Sequence, residues 1–128
     1  EAHPRWNQHE LKARMSEATG TEVLVEAWYP LGHGDKTLLE EPVIAAAAQR
    51  TGATPAQVIL AWHLAERNIT FPKTLSPAHM ADNLAALDVE LTAAEIATIN
   101  GIPQQPYYRI PDEPPAFVLT TNDYSQQA

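Results

Sequence analysis

Two short apolar runs, "TEVLVEAW" at 21–28 and "ITFP" at 69–72, are separated by two helical segments that each open on a proline. This spacing constrains the fold more than any other feature of the chain. Strands that far apart with helix between them cannot form a tight hairpin; they pair in parallel through a crossover, which is right-handed in nearly all folds. The helical signals are well punctuated. "EEPVIAAAAQRTG" places Pro42 at a first helical position, acids ahead of it and Gly52 as terminator, and "TPAQVILAWHLAERN" repeats the device with Thr54 as cap and Pro55 at N1. "SPAHMADNLAAL" is predicted as a helix capped by Ser76 with Pro77 at N1, and "TAAEIATINGI" as one capped by Thr92 with Glu95 completing a capping box. Upstream, "NQHELKARMSEATG" reads as a helix with Asn7 as N-cap, Leu11 and Met15 at i, i+4 spacing and Gly20 just past its end.

The series is therefore α/β with a parallel sheet, yet it contains only two clear strands and the stub of a third at Glu1–His3. A sheet that small leaves strand edges and apolar faces uncovered, so the chain is expected to be part of something larger. It also begins with Glu1, in mid-pattern. The "YPLGHGDKT" segment is a Pro/Gly loop too polar to be core. "AAAA" at 45–48 is expected to pack closely, and His9 and His33 are expected to face solvent.

Composition narrows the partners. The 128 residues, 45% hydrophobic and 19% charged, suit one globular unit. With 16 Asp and Glu against 8 Lys and Arg, the net charge of −8 argues against nucleic acid and anionic membrane surfaces. No apolar run approaches the roughly 20 residues that span a bilayer, and the first residues lack the basic-then-apolar order of a signal peptide, so a cytoplasmic location is expected. The absence of cysteine excludes disulfides and thiolate chemistry, and the five His are too scattered to suggest a metal site.

"EAHP" followed by a Q-x-E-L helix, "VEAWYPLGHG", "EEPVIAAAAQRTGATPAQVILAWHLAERN", "FPKTLSPAHMADNL" and "VELTAAEIATIN" resemble, in order, the closing part of an aldo-keto reductase. The subgroup they most resemble is the bacterial 2,5-diketo-D-gluconate reductases. The resemblance covers residues 1–102 and leaves 103–128, a proline-rich segment with Tyr107, Tyr108, Phe117 and Tyr124, as an irregular tail. It implies the C-terminal portion of a (β/α)8 TIM barrel, from the end of strand 6 through helix 8. In such barrels chemistry sits at the carboxyl ends of the strands, and phosphate sites are often built by the loops after strands 7 and 8. The loops at 29–37 and 73–77 fall there.

The resemblance also implies the cofactor, NADP(H), with NAD(H) as a second candidate, and its contacts. Trp28 matches the aromatic on which the nicotinamide stacks, a task a flat indole suits because it adds no competing charge; without the family context it reads more readily as a plug of the barrel end, and the "WYPLG" match reverses that preference. Tyr29, Leu31 and Gly32 match positions beside the ribose and pyrophosphate, although the family usually has Ser or Gly where Tyr29 stands. Lys73 matches the cation that pairs with the 2′-phosphate, Thr74 offers a hydroxyl and Leu75 a backbone N–H to the same group, and Ser76 both caps a helix and neighbours the anion. On its own, Lys73 is also readable as a solvated lysine beside a capped helix. His79 stands where the family has Arg, and a largely neutral imidazole predicts relaxed choice between the two cofactors. Asp82 and Asn83 match an acid-amide pair at the adenine edge; at i+3 and i+4 from His79 they share its helical face. His3 in "AHP" and His63 in "AWHL" match positions that are structural in the family, and Trp6 and the tail aromatics are candidates for walls of the substrate pocket.

What the resemblance implies for the reaction is reduction of a small aldehyde or ketone, with a Tyr general acid tuned by a Lys-Asp pair and a His that orients the substrate. Those four residues belong to earlier strands, and no catalytic residue is assigned within 1–128, so the chain alone is predicted to be inactive. The expected partner is the remainder of the barrel, in cis or as a separate chain. The alternative is a stand-alone, non-catalytic βα module that binds a nucleotide or oligomerises to hide its edges.

Overall fold

The computed structural model describes residues 2–32 and 36–105. Tyr107, Tyr108, Phe117, Tyr124 and His33 lie outside the described residues. The elements are α1 (His9–Thr19), β1 (Glu26–Ala27), α2 (Lys36–Leu39), α3 (Pro42–Thr51), α4 (Pro55–Ala65), β2 (Ile69–Thr70), α5 (Pro77–Ala85) running into a 3-10 turn (Ala86–Asp88), and α6 (Ala93–Asn100).

β1 and β2 pair in parallel, Glu26 opposite Ile69 and Ala27 opposite Thr70. The ladder is carried by Ile69 N–H donating to Val25 O and Phe71 N–H to Ala27 O. Both strands are much shorter than the apolar runs that announced them. Among the described residues neither has a second neighbour, so the flanking backbone has no ladder to join. Val23 N–H instead donates to the Ser16 hydroxyl at 2.9 Å, tying the segment before β1 back to α1. The expected strand stub at the start is a turn: His3 and Trp6 form an isolated antiparallel bridge.

The helix ends follow the sequence closely. Pro42, Pro55 and Pro77 each open a helix, where the missing N–H costs nothing. Thr54 and Thr92 each close a capping box, with Gln57 and Glu95 respectively. Gly20 and Gly52 end α1 and α3 in the left-handed region, φ 64° and 72°, which a Cβ disfavours. Gln8, not Asn7, occupies the N-cap position of α1, at φ 59°; the Asn7 side chain still accepts from His9 N–H at 3.1 Å.

The core lies between α3, α4 and α6, where Leu38, Ile44, Ala47, Val58, Ile59, Trp62 and Ile99 are buried together. Of the "AAAA" run, Ala47 and Ala48 are buried and Ala45 and Ala46 exposed, because a 3.6-residue period turns only half of four consecutive positions inward. Two polar staples surround this core. Arg5, almost fully buried, bonds Glu41 through Nε and Nη2 at 2.9 and 2.7 Å and the Thr37 hydroxyl through Nη1 at 2.6 Å. Trp62 Nε1 donates to Asn100 Oδ1 at 2.7 Å, and Asn100 Nδ2 donates to Glu66 Oε1 at 2.8 Å. His9 completes this second staple, its Nε2 3.2 Å from Glu66 Oε2 and its ring 6.0 Å from that of Trp62. It is half-buried where the sequence predicts a solvent-facing ring: its Nε2 edge is covered beside Glu66 and Trp62, and 33% of the side chain stays exposed. Leu11 and Met15 remain exposed, and α1 buries no residue.

Among the described residues no helix is long and apolar enough to cross a membrane.

Candidate functional site

Parallel pairing sends both strand exits to the same end of the molecule, and the helices that follow or flank them surround a cavity of about 850 Å³. That size is ordinary for a small-molecule site, roughly 300–1,000 Å³. β1 leads through Trp28, Tyr29, Pro30 and Leu31 along one wall; β2 leads through Phe71, Pro72, Lys73 and Thr74 along another; α4 contributes Thr54, Ala56 and Gln57 at its start, and α5 contributes His79, Asp82 and Asn83.

The β1 exit makes a sharp corner. Tyr29 has φ 52°, and Gly32 N–H donates to Tyr29 O at 2.9 Å. The corner brings the Trp28 and Tyr29 rings to 4.4 Å, tilted by 36°, with the Trp28 ring half-exposed toward the cavity. Behind it, His63 anchors Pro30: its Nε2 lies 3.1 Å from Pro30 O, and Asn68 Nδ2 lies 3.3 Å from Nδ1. Burial pushes the His63 pKa down to about 4, against the pull of the Pro30 carbonyl, and nearby His3 adds to the depression. His63 is thus a neutral Nε2–H tautomer donating to the carbonyl. His3 and His63 are both buried, as the sequence implied.

The β2 exit is organised by hydroxyls. Ser76 N–H donates to Thr74 Oγ1 at 3.1 Å, and Ser76 Oγ accepts from His79 N–H at 3.4 Å as the N-cap of α5. Lys73 is exposed at the cavity and, among the described residues, makes no ion pair. An ammonium with no ion pair among the described residues, ahead of a helix start, together with a flat aromatic on the same cavity, suits a ligand that carries an anionic group and a planar ring.

Of the eleven residues expected at the site, Trp28, Tyr29, Leu31, Lys73, Thr74, His79, Asp82 and Asn83 line this one cavity. Gly32, Leu75 and Ser76 do not: Gly32 is buried in the corner, the Leu75 side chain is 90% exposed, and Ser76 is occupied in capping. Trp6 is not among the lining residues. Sequence reading missed Phe71, Leu39 and Gln57. Gln57 was detectable from its position three residues after the Thr54 cap, but that signal speaks of the helix start and not of a cavity.

Residues 3–103 match the sequence model described as the aldo/keto reductase family. The chain is 41% identical over 102 residues to an aldo-keto reductase of Mycolicibacterium smegmatis, an alignment covering 77% of this chain and 34% of that protein. It is 34% identical over 119 residues to human aldo-keto reductase family 1 member A1, covering 87% and 36% respectively. Among solved structures, a mutant of Gox0644 in complex with NADPH superposes with a TM-score of 0.72 at 31% identity, over 82% of this chain and 37% of that one. The chain spans about a third of the length of the curated relatives it matches.

Proposed function

The chain belongs to the aldo/keto reductase family, and we propose that it is the dinucleotide-binding part of an NADP(H)-dependent oxidoreductase that reduces aldehydes or ketones. The observation that carries this reading is the convergence of an aromatic, an exposed lysine and the α5 polar face on one cavity at the strand exits. In support, a structural neighbour is described with NADPH bound. We place residues 1–102 as the C-terminal portion of a (β/α)8 barrel, with 103–128 as a tail, and keep 2,5-diketo-D-gluconate reductases as the nearest functional type. A cytoplasmic location belongs to the same reading.

The residues present fit the cofactor chemically. A nicotinamide held there would supply hydride for the carbonyl carbon. Trp28 orients that ring by dispersion without offering a charge. Tyr29 and Leu31 would pass beside ribose and pyrophosphate, with Gly32 buried in the corner behind them. Lys73 would hold the 2′-phosphate beside the Thr74 hydroxyl, while Leu75 N–H and Ser76, outside the cavity lining, would contribute through the positive potential of the α5 start. His79 approaches the adenosine phosphate with at most one charge-assisted bond, and Asp82 and Asn83 address the adenine edge. NAD(H) is accordingly accepted better than it would be with an arginine at position 79. The proton donor for the carbonyl oxygen lies on the remainder of the barrel, in cis or on a separate chain, so the 128-residue chain binds cofactor and turns over nothing.

The test is titration of the chain with NADPH and NADH, followed by quenching of tryptophan fluorescence. Charge-assisted hydrogen bonds are worth about 1.5–3 kcal/mol, so Lys73→Met weakens NADPH binding by at least tenfold and NADH binding far less. His79→Arg strengthens NADPH selectively. Equal losses for both cofactors in Lys73→Met would overturn the 2′-phosphate assignment, and a thousandfold NADPH preference in the unaltered chain would contradict relaxed choice.

A further inference from the structure

α5 presents His79, Asp82 and Asn83 to the cavity, yet none of its nine residues is buried. Its position is therefore not fixed by a core-facing stripe of its own, as that of an ordinary packed helix would be. At its C-terminal end it runs into the 3-10 turn, where Ala86 is buried. Along its length, one hydrogen bond among the described residues reaches it from another helix: Gln57 Nε2 donates to Asp82 O at 3.0 Å.

The same amide is used at its other end. Gln57 Oε1 accepts from Thr54 N–H at 2.9 Å, and Gln57 N–H donates to Thr54 Oγ1 at 3.2 Å. One side chain thus closes the N-terminus of α4 and grips the backbone of α5 on the residue that faces the cavity. We infer that Gln57 is a positioning residue for the adenosine end of the site, locking α5 to the rigid start of α4 so that His79, Asp82 and Asn83 face the ligand together. This rests on the dinucleotide reading for its ligand, but the mechanical part stands without it. A side chain held by the α4 cap is already ordered, so gripping α5 costs little further rotamer entropy. A glutamate would serve the capping box equally well; only an amide can both accept from Thr54 and donate to Asp82.

Two variants of the full 128-residue chain separate the roles. Gln57→Glu keeps the acceptor for Thr54 and loses the donor to Asp82; Gln57→Met is neutral and loses both. Hydrogen exchange of the α5 amides is measured without ligand, alongside melting temperature and titration with NADPH. The expected result is faster exchange in α5 and roughly two- to tenfold weaker NADPH binding in both variants, with the larger fall in melting temperature confined to Gln57→Met. Unchanged α5 exchange and affinity in Gln57→Glu would overturn the inference and leave Gln57 as a cap alone. Loss of affinity in Gln57→Glu without faster α5 exchange, and none in Gln57→Met, would overturn it in favour of charge repulsion. If the unaltered chain binds no NADPH, the dinucleotide reading fails, while α5 exchange still decides whether the clamp exists.

Discussion

His63 shows how a single buried group ties the site to pH. The folded chain keeps it neutral down to about 4, whereas in the unfolded chain it titrates near 6.5. Between those values the unfolded state binds a proton that the folded state refuses, so stability falls as the pH is lowered through this window and is unaffected by His63 above it. A shift of this size corresponds to about 3 kcal/mol. Urea unfolding at pH 7 and pH 4 is expected to show such a loss. His63→Leu, less stable at pH 7 because Pro30 O loses its donor, is expected to lose much less between the two pH values; identical pH dependence in both proteins would contradict the assignment. At this scale the sequence was generous with the conspicuous residues. Lys73, His79, Asp82 and Asn83 were legible because they cluster in one short motif. Gln57 was not, because its second partner, Asp82, lies far along the chain and only packing brings it near.

Elements obeyed local rules where the rules concern the backbone's own unpaired groups. Thr92 Oγ1 accepts from Glu95 N–H at 3.2 Å and Glu95 Oε2 accepts from Thr92 N–H at 2.8 Å, closing the start of α6. Arg50 joins from α3, Nη2 to Glu95 Oε2 at 2.7 Å, and its guanidinium together with the Thr92 backbone draws the Glu95 carboxyl down to about 2. Thr92→Ala is expected to destabilise the fold by about 1 kcal/mol, read as a fall in thermal midpoint; no change would mean that Arg50 alone holds the helix start. The strands departed from the sequence reading for a physical reason. β-branched patterning marks residues able to join a sheet, but a strand extends only as far as it finds a neighbour, and β1 and β2 find one another over two positions each.

The whole molecule divides by burial into an interior made by α3, α4 and α6 and a margin made by α1 and α5, neither of which buries a residue. Native-state hydrogen exchange is expected to follow that division, with the slowest amides in α4 around Ile59 and Trp62 and the fastest helical amides in α1 and α5. Uniform protection across all helices would show a single cooperative unit instead. The margin is also where large apolar side chains remain exposed, among them Phe71, Met80, Leu84 and Leu87 near the β2 exit and along α5 and the turn after it.

The sequence by itself determined the alternation of strand and helix from β1 onward, the caps and prolines that open α3, α4, α5 and α6, and the membership of the family, but neither the Gln8 start of α1 nor α2, which begins inside an expected loop. Those properties are local, set by caps, prolines and a few neighbouring side chains. Tertiary structure decided which side chains share a cavity, that His9 turns inward to Glu66 and Trp62, that His63 braces the Trp28 corner and that Gln57 grips α5. Each of these depends on distances between residues remote in the chain, which are fixed only when the α3–α4–α6 core closes and sets the helices against the parallel strands.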